Sequence, residues 1–370
     1  MTGRNTAGAR ESMSTRTGML VPGRVLKRMG VRSNRSNRWH PAISARHTVI
    51  LGGVPQKISV EGPGGDAPVM IMFHGGPWAP FIYGLAYRGF YPELSSRFTL
   101  VWWDQYGCGK NARRLHDIPA DISVEAFAHM AIDLTDEVRR RFPNSPILLN
   151  GYSFGTYLTM QVAAARETDI AGVINLGPIM SMREATGHFR AACEPYLTDR
   201  ERQRMLRLRN SGRYDPYAAY VERLAGAYTD CCHYRGKGRG KGGMIHDDAM
   251  FHRWLLRLIT SGDYHPIDLI GAAMGTLPYG RLSRRFHTLW DSMENIDLWA
   301  LAEHLDIPML YLQGDAERYV LPDELSALAA RRSNVRYVRL DRSGHIPTSR
   351  AWAQTMREMI AFGEEITGCR

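Results

Sequence analysis

No stretch of this 370-residue sequence approaches the roughly 18 consecutive apolar residues that a membrane-spanning helix needs, so no α-helical membrane association is expected. The N-terminus lacks an apolar run of about 7–15 residues followed by a small-residue cleavage site, which argues against a secretory signal and for a cytoplasmic protein. Cysteine is scarce: Cys108, Cys193, Cys231, Cys232 and Cys369 are odd in number and irregular in spacing, unlike a disulfide framework. Cys231, Cys232 and His233 sit together, but no second Cys or His pair lies at zinc-site spacing, so no metal site is expected. Acid is nearly missing from the first 46 residues, where Glu11 stands alone against ten Lys and Arg. That imbalance accounts for almost all of the net charge of +10. The basic character therefore belongs to a tail, and no nucleic-acid partner is expected for the folded body. Residues 1–45 are rich in Ser, Thr, Asn and Gly without a sustained apolar period, and are expected to be a disordered tail.

Beyond residue 46 the chain is regularly patterned. Short β-rich runs occur at Val69–Phe73, Thr99–Trp103, Ile147–Asn150, Gly172–Leu176, Met309–Leu312 and Val335–Leu340. Several are apolar throughout, as strands buried on both faces of a parallel sheet are. Helical periodicity separates them, at 124–142 with Phe127, Ala131, Leu134 and Val138 on one face, and at 156–166. His47–Gly62, with Gly52-Gly53 between two β-like runs, reads as an antiparallel hairpin at the sheet edge. Strand–helix alternation predicts an α/β fold with a mostly parallel central sheet and flanking helices. Residues 180–300 lack buried-strand runs and carry helical stretches, many aromatics and a glycine-lysine run at 236–243. They read as an α-helical insertion dividing the core into 46–179 and 301–370.

Three features carry chemistry. Gly151-Tyr152-Ser153-Phe154-Gly155 fits G-x-S-x-G and lies between a short apolar strand and a helical segment. A serine on such a turn projects its hydroxyl from the end of the sheet, and the adjoining helix N-terminus favours a developing oxyanion. His74-Gly75-Gly76-Pro77 directly succeeds a strand; the N–H of Gly76 can complete an oxyanion hole with that of Phe154. Ser343-Gly344-His345 comes after the last strand, where the serine–acid–histidine order of such folds requires a general base. Two acids come after the strand before it, Asp315 and Glu317, and either carboxylate can orient the imidazole.

Together these motifs resemble the proline iminopeptidase family of α/β hydrolases, the S33-type peptidases. Its members carry His-Gly-Gly-Pro-Gly, Asp-Gln-Arg-Gly-x-Gly, Gly-x-Ser-x-Gly, an acid, and Ser-Gly-His in this order. Here they read His74 to Trp78, Asp104-Gln105-Tyr106-Gly107-Cys108-Gly109, Gly151 to Gly155, and Ser343 to His345. The resemblance implies the α/β-hydrolase fold with an inserted helical cap, and a Ser153–His345–acid triad acting through an acyl-enzyme without a cofactor. The family's acid lies three residues after the strand-terminal glycine, which selects Glu317. Counting back from Pro322 lands on Arg318 instead, so one residue is inserted and Asp315 stays open as the alternative. Relatives use cap carboxylates to hold a substrate ammonium; Glu184, Glu194, Glu201, Glu222, Asp247, Asp248 and Glu294 are among the candidates here.

This chain departs from the family in having Trp78 for glycine, Tyr106 for arginine, and Tyr152 where peptidase members have a smaller residue or histidine. Trp78 and Tyr152 become candidate substrate contacts. The implied activity is release of an N-terminal residue from a small peptide. Hydrolysis of a small-molecule ester, lactone or amide is the alternative, and a non-catalytic binding protein on a hydrolase scaffold is a third reading. Haloalkane and epoxide chemistry is disfavoured, because those relatives carry Asp at the elbow.

Overall fold

A computed structural model describes residues 40–79, 88–228 and 285–369. Most of the basic tail, Cys231, Cys232, His233, Asp247, Asp248 and the glycine-lysine run lie outside the described residues.

Eight strands form one sheet in the order β1-β2-β4-β3-β5-β6-β7-β8. The first two, β1 (Ile43–Leu51) and β2 (Val54–Gly62), make the edge hairpin. Leu51 pairs with Val54, and Gly52 and Gly53 between them have φ of 60° and 74°. Two consecutive left-handed residues match the twist of a two-residue hairpin, and glycine takes that conformation without Cβ strain. The strand begins at Ile43, inside the stretch expected to be tail; Ile43 pairs with Gly62 and Ala45 with Val60. Its inward positions alternate with the exposed Ser44 and Arg46, a period-2 pattern too short and too polar to stand out from the basic segment before it.

The remaining strands are β3 (Val69–Phe73), β4 (Thr99–Trp103), β5 (Ile147–Tyr152), β6 (Ile170–Leu176), β7 (Met309–Gly314) and β8 (Val335–Leu340). They run parallel to one another, and β2 joins β4 in the antiparallel sense. Strand alternation divides the core in two. Val69, Ile71, Phe73, Val101, Trp103 and Leu149 face one layer, with the helices Val124–Arg141 and Gly155–Ala165. Met70, Met72, Leu100, Trp102, Leu148 and Leu310 face the other, closed by the helix Ser349–Thr367. Both faces of β3, β4, β5 and β7 are buried, which is why these strands read as largely apolar runs. Between the end of β6 and the start of β7 the described residues contain no strand. They form the helices Met182–Cys193, Asp199–Arg209, Tyr214–Tyr228, His287–Ser292 and Trp299–His304. Phe189, Val221, Leu224, Leu289 and Met293 from this region are buried in the same apolar cluster as the first sheet face.

Because β3, β5, β7 and β8 are parallel, their C-terminal ends share one edge of the sheet. The loops carrying Gly76, Ser153, Glu317 and His345 therefore emerge together. Close backbone approach keeps them there: a Cβ on Gly314, at the end of β7, would lie 2.2 Å from the Ser343 carbonyl oxygen and 2.3 Å from that of Gly344. Backbone cannot move aside as a flexible side chain can. Gly314→Ala is expected to destabilise the protein by about 2–3 kcal/mol, measured as a lower denaturant midpoint at unchanged m-value.

Candidate active site

Strand β5 ends at Tyr152, and the helix Gly155–Ala165 starts three residues later. Ser153 makes the turn with φ of 54°, a left-handed conformation that costs a non-glycine residue roughly 1–2 kcal/mol. Both motif glycines are demanded by contact. A Cβ on Gly155 would lie 2.2 Å from the Phe73 carbonyl oxygen, and one on Gly151 would lie 2.5 Å from that of Gly155. Ser153 N–H donates to the Leu176 carbonyl, and Thr156 N–H donates back to the Ser153 carbonyl. The turn is thus tied to β6 on one side and to its own helix on the other.

The Ser153 hydroxyl lies 2.8 Å from Nε2 of His345, and Nδ1 of the same ring lies 2.6 Å from Oε2 of Glu317. His345 and Glu317 are both buried. With carboxylate on one side, Nδ1 carries the proton and Nε2 is left to accept from the serine. The other oxygen of Glu317 accepts from the N–H groups of Arg318 and Tyr319 at 2.7 and 2.9 Å. Burial by itself raises the carboxyl pKa. The charge and hydrogen bond of His345 and the two backbone donors outweigh it, so Glu317 sits below the usual carboxylate range. Asp315, the alternative acid, does something else: its two oxygens accept from the N–H groups of Arg342 and Ser343, each at 3.0 Å. It pins the start of the histidine loop and makes no contact with the imidazole.

The His74-Gly75-Gly76-Pro77 turn lies against the elbow, where a Cβ on Gly75 would come within 2.9 Å of the Ser153 Cβ. Gln105, just after β4, braces this turn. Gln105 N–H donates to His74 Nε2, the Gln105 amide donates to the His74 carbonyl, and its Oε1 accepts from Trp78 N–H. Gly76 and Phe154 N–H groups have no hydrogen-bond partner among the described residues, and Gly76 lines the cavity in front of Ser153.

Trp78 and Tyr152, the expected substrate contacts, point elsewhere. Trp78 is buried, with its indole N–H donating to the Tyr106 carbonyl at 2.6 Å and its ring edge-on to Phe127, Phe286 and Trp290. It keeps a φ of 64°, the conformation a glycine would take there, and the ring fills space between the turn and the helices above. Tyr152 packs against the His345 ring at 5.3 Å, and its hydroxyl reaches the His345 carbonyl at 3.4 Å. Neither Trp78 nor Tyr152 is among the residues lining the cavity in front of Ser153.

In front of Ser153 lies a cavity of about 60 Å³. Its wall includes Gly76, Ile179, Met182, Ala218, Met293 and Tyr319, and two carboxylates from the helix Tyr214–Tyr228, Asp215 and Glu222. The other described acids among the candidates are engaged elsewhere: Glu184 accepts from the Trp299 indole, Glu201 closes the capping box with Thr198, Glu194 pairs with Arg202, and Glu294 pairs with Arg183. Burial, reinforced by Asp291, pushes Asp215 up to about 6. Burial also raises Glu222, against the opposing effects of the Tyr319 hydroxyl and His345. Asp215 was not singled out by sequence, because an acid in the first turn of a helix is explained by the helix dipole alone.

A profile of the α/β-hydrolase fold matches residues 68–205, which span β3, the elbow and the helix Met182–Cys193. The chain has the α/β-hydrolase fold. The chain is 28% identical over 126 residues to the probable aminopeptidase YbaC of Bacillus subtilis, a match covering 34% of this chain and 38% of that protein. The chain thus matches well under half the length of that relative. Among solved structures, the proline iminopeptidase of Mycobacterium smegmatis superposes with a TM-score of 0.54 at 18% identity, covering 87% of this chain and 99% of that one. A thermophilic esterase from Thermogutta terrifontis superposes at 0.53 with the same identity and coverage. Among the described residues no helix is long and apolar enough to cross a membrane.

The two acids separate experimentally. Asp315→Asn weakens two backbone hydrogen bonds and is expected to lower stability by about 1–2 kcal/mol while Ser153 still reacts with a fluorophosphonate. Glu317→Gln removes the carboxylate from the imidazole and is expected to slow that reaction by about a thousandfold or more. Intact-mass spectrometry of the labelled protein reads both.

Proposed function

We propose that this hydrolase works by two-step acyl transfer from Ser153 and acts on small substrates with a free amino terminus, in the manner of a proline iminopeptidase. The observation that carries the proposal is the continuous line Glu317–His345–Ser153 opening onto a small cavity that also presents Asp215 and Glu222. Ser153 attacks the substrate carbonyl as His345 takes its proton, and the imidazolium formed is held by Glu317. The N–H groups of Gly76 and Phe154 receive the oxyanion, each contributing about 3 kcal/mol to the transition state. His345 then protonates the leaving group, and water deacylates the enzyme with the same base. An amine in this cavity finds fixed negative charge, and an ammonium pairs with carboxylates far better than with the apolar wall of Ile179, Met182 and Met293. The inserted helices act as the cap that supplies these acids. No step calls on a metal or organic cofactor.

Hydrolysis of an uncharged ester, lactone or amide is the second reading. The apolar part of the same wall favours it, since it accepts an acyl chain as readily as a pyrrolidine ring. The short contacts among Ser153, His345 and Glu317 weigh against a purely binding role.

Turnover of a prolyl arylamide set against a matched short acyl ester tests the assignment. The arylamide is expected to be cleaved, and Ser153→Ala to lose all turnover. Ester hydrolysis with no reaction on any amino-terminal arylamide would move the enzyme to the second reading. Acidity adds an independent check. Asp215 titrates at about 6, so it is ionised above that pH and neutral below it. KM for the arylamide is therefore expected to rise as pH falls through 6, while KM for the ester stays flat. Glu222→Gln is expected to raise the arylamide KM by about tenfold or more at pH 7.5, as loss of one charge-assisted hydrogen bond does.

A further inference from the structure

Tyr319 touches both halves of the site. Its backbone N–H donates to Glu317 Oε1 at 2.9 Å. Its ring packs on the His345 imidazole with centroids 4.5 Å apart, and Phe189 from the helix Met182–Cys193 meets it edge-on at 4.9 Å. Its hydroxyl donates to Glu222 Oε1 at 2.9 Å, crossing from the acid loop of the core to the cap helix. The residue is buried and also lines the cavity before Ser153.

We propose that Tyr319 is a positioning residue that couples the cap carboxylate Glu222 to the histidine, so that capture of an amine and alignment of the general base occur together. The inference rests on the amino-terminal substrate reading and adds to it the residue that makes the preference felt in the chemical step. The physical reason is geometric. A tyrosine ring has two torsions, and this one has its backbone held by the acid, one ring contact on the base and its hydroxyl on the cap. A shift of the Glu222 carboxylate toward an incoming ammonium therefore moves the ring that bounds the imidazole. A neutral ester makes no demand on Glu222 and leaves the strut where it is.

The charged and titratable groups facing Glu222 are His345 and Glu317 from the core loops and Asp215 from its own helix, besides the Tyr319 hydroxyl. Of these, the Tyr319 hydroxyl and His345 favour the ionised carboxylate, whereas Glu317 and Asp215 oppose it. Removing the hydroxyl raises the Glu222 pKa further, so as pH falls the amine site fails at a higher pH than in the parent enzyme.

The test is Tyr319→Phe, which keeps the ring, alongside Tyr319→Leu, which removes it. Each is assayed with a prolyl arylamide, with a short acyl ester, and with L-prolinamide as an inhibitor of the ester reaction. For Tyr319→Phe the expected result is an about tenfold fall in kcat/KM on the arylamide, shared between kcat and KM. Its acid limb moves to higher pH, prolinamide inhibition weakens, and the fall in kcat/KM on the ester is smaller than that on the arylamide. Tyr319→Leu is expected to lose kcat on both substrates, because the imidazole loses a packing face. An arylamide profile for Tyr319→Phe that superimposes on the parent's, with prolinamide inhibition intact, overturns the coupling and leaves the amino-terminal reading standing. A parent enzyme that neither cleaves the arylamide nor responds to prolinamide overturns both. Equal losses on ester and arylamide in Tyr319→Phe reduce Tyr319 to a structural role and overturn the coupling.

Discussion

The turn after β5 is where the constraints of this molecule meet. A serine with φ of 54° is held between two glycines that admit no side chain, with the end of β3 on one side and the start of the elbow helix on the other. The local conformation is unfavourable for an L-residue, so it persists only because the strands on both sides are locked in a dry parallel sheet. Everything functional is measured from that point. The Gly75-Gly76 turn rests on the Ser153 Cβ, the histidine loop reaches its hydroxyl, and the cap cavity opens over it.

The loops around the elbow are braced by different means according to their task. The His-Gly-Gly-Pro turn is held by hydrogen bonds of the Gln105 backbone and side chain, and the Gly76 N–H has no hydrogen-bond partner among the described residues. The histidine loop is held by the Asp315 carboxylate and by backbone contact with Gly314. Two tyrosine rings, Tyr152 and Tyr319, pack on the imidazole itself. Rigid support of this kind is what a base poised on a hydroxyl requires, because a misplacement of about an ångström costs orders of magnitude in rate.

The neighbouring carboxylates divide according to their surroundings. Glu317 is buried but satisfied by two N–H groups and an imidazole, and stays ionised. Glu222 and Asp215 are pushed the other way, chiefly by burial and further by neighbouring acids. The carboxylate held by donors and an imidazole lies below its usual range, and the two on the cavity wall lie above it. The cavity thus carries a polarity that the sheet scaffold alone does not specify, since both acids come from the helix Tyr214–Tyr228.

Much of this was written in the linear sequence. The buried runs Val69–Phe73 and Thr99–Trp103 coincide with strands, because largely apolar segments of that length bounded by turn residues have few other uses. The positions of Ser153 and His345 came from motif and order, since a parallel sheet delivers successive strand ends to one edge. Motif spacing favoured Glu317 and left Asp315 open, because the two lie two positions apart in one loop and only backbone geometry decides which carboxylate turns inward. The same limit hid the packing roles of Trp78 and Tyr152, and the selection of Glu222 and Asp215 from many acids on amphipathic helices. Periodicity tells which face of an element is buried, but it is silent on what that face meets. The order of the chemistry belongs to the chain; the partner each group finds belongs to the contacts between distant segments.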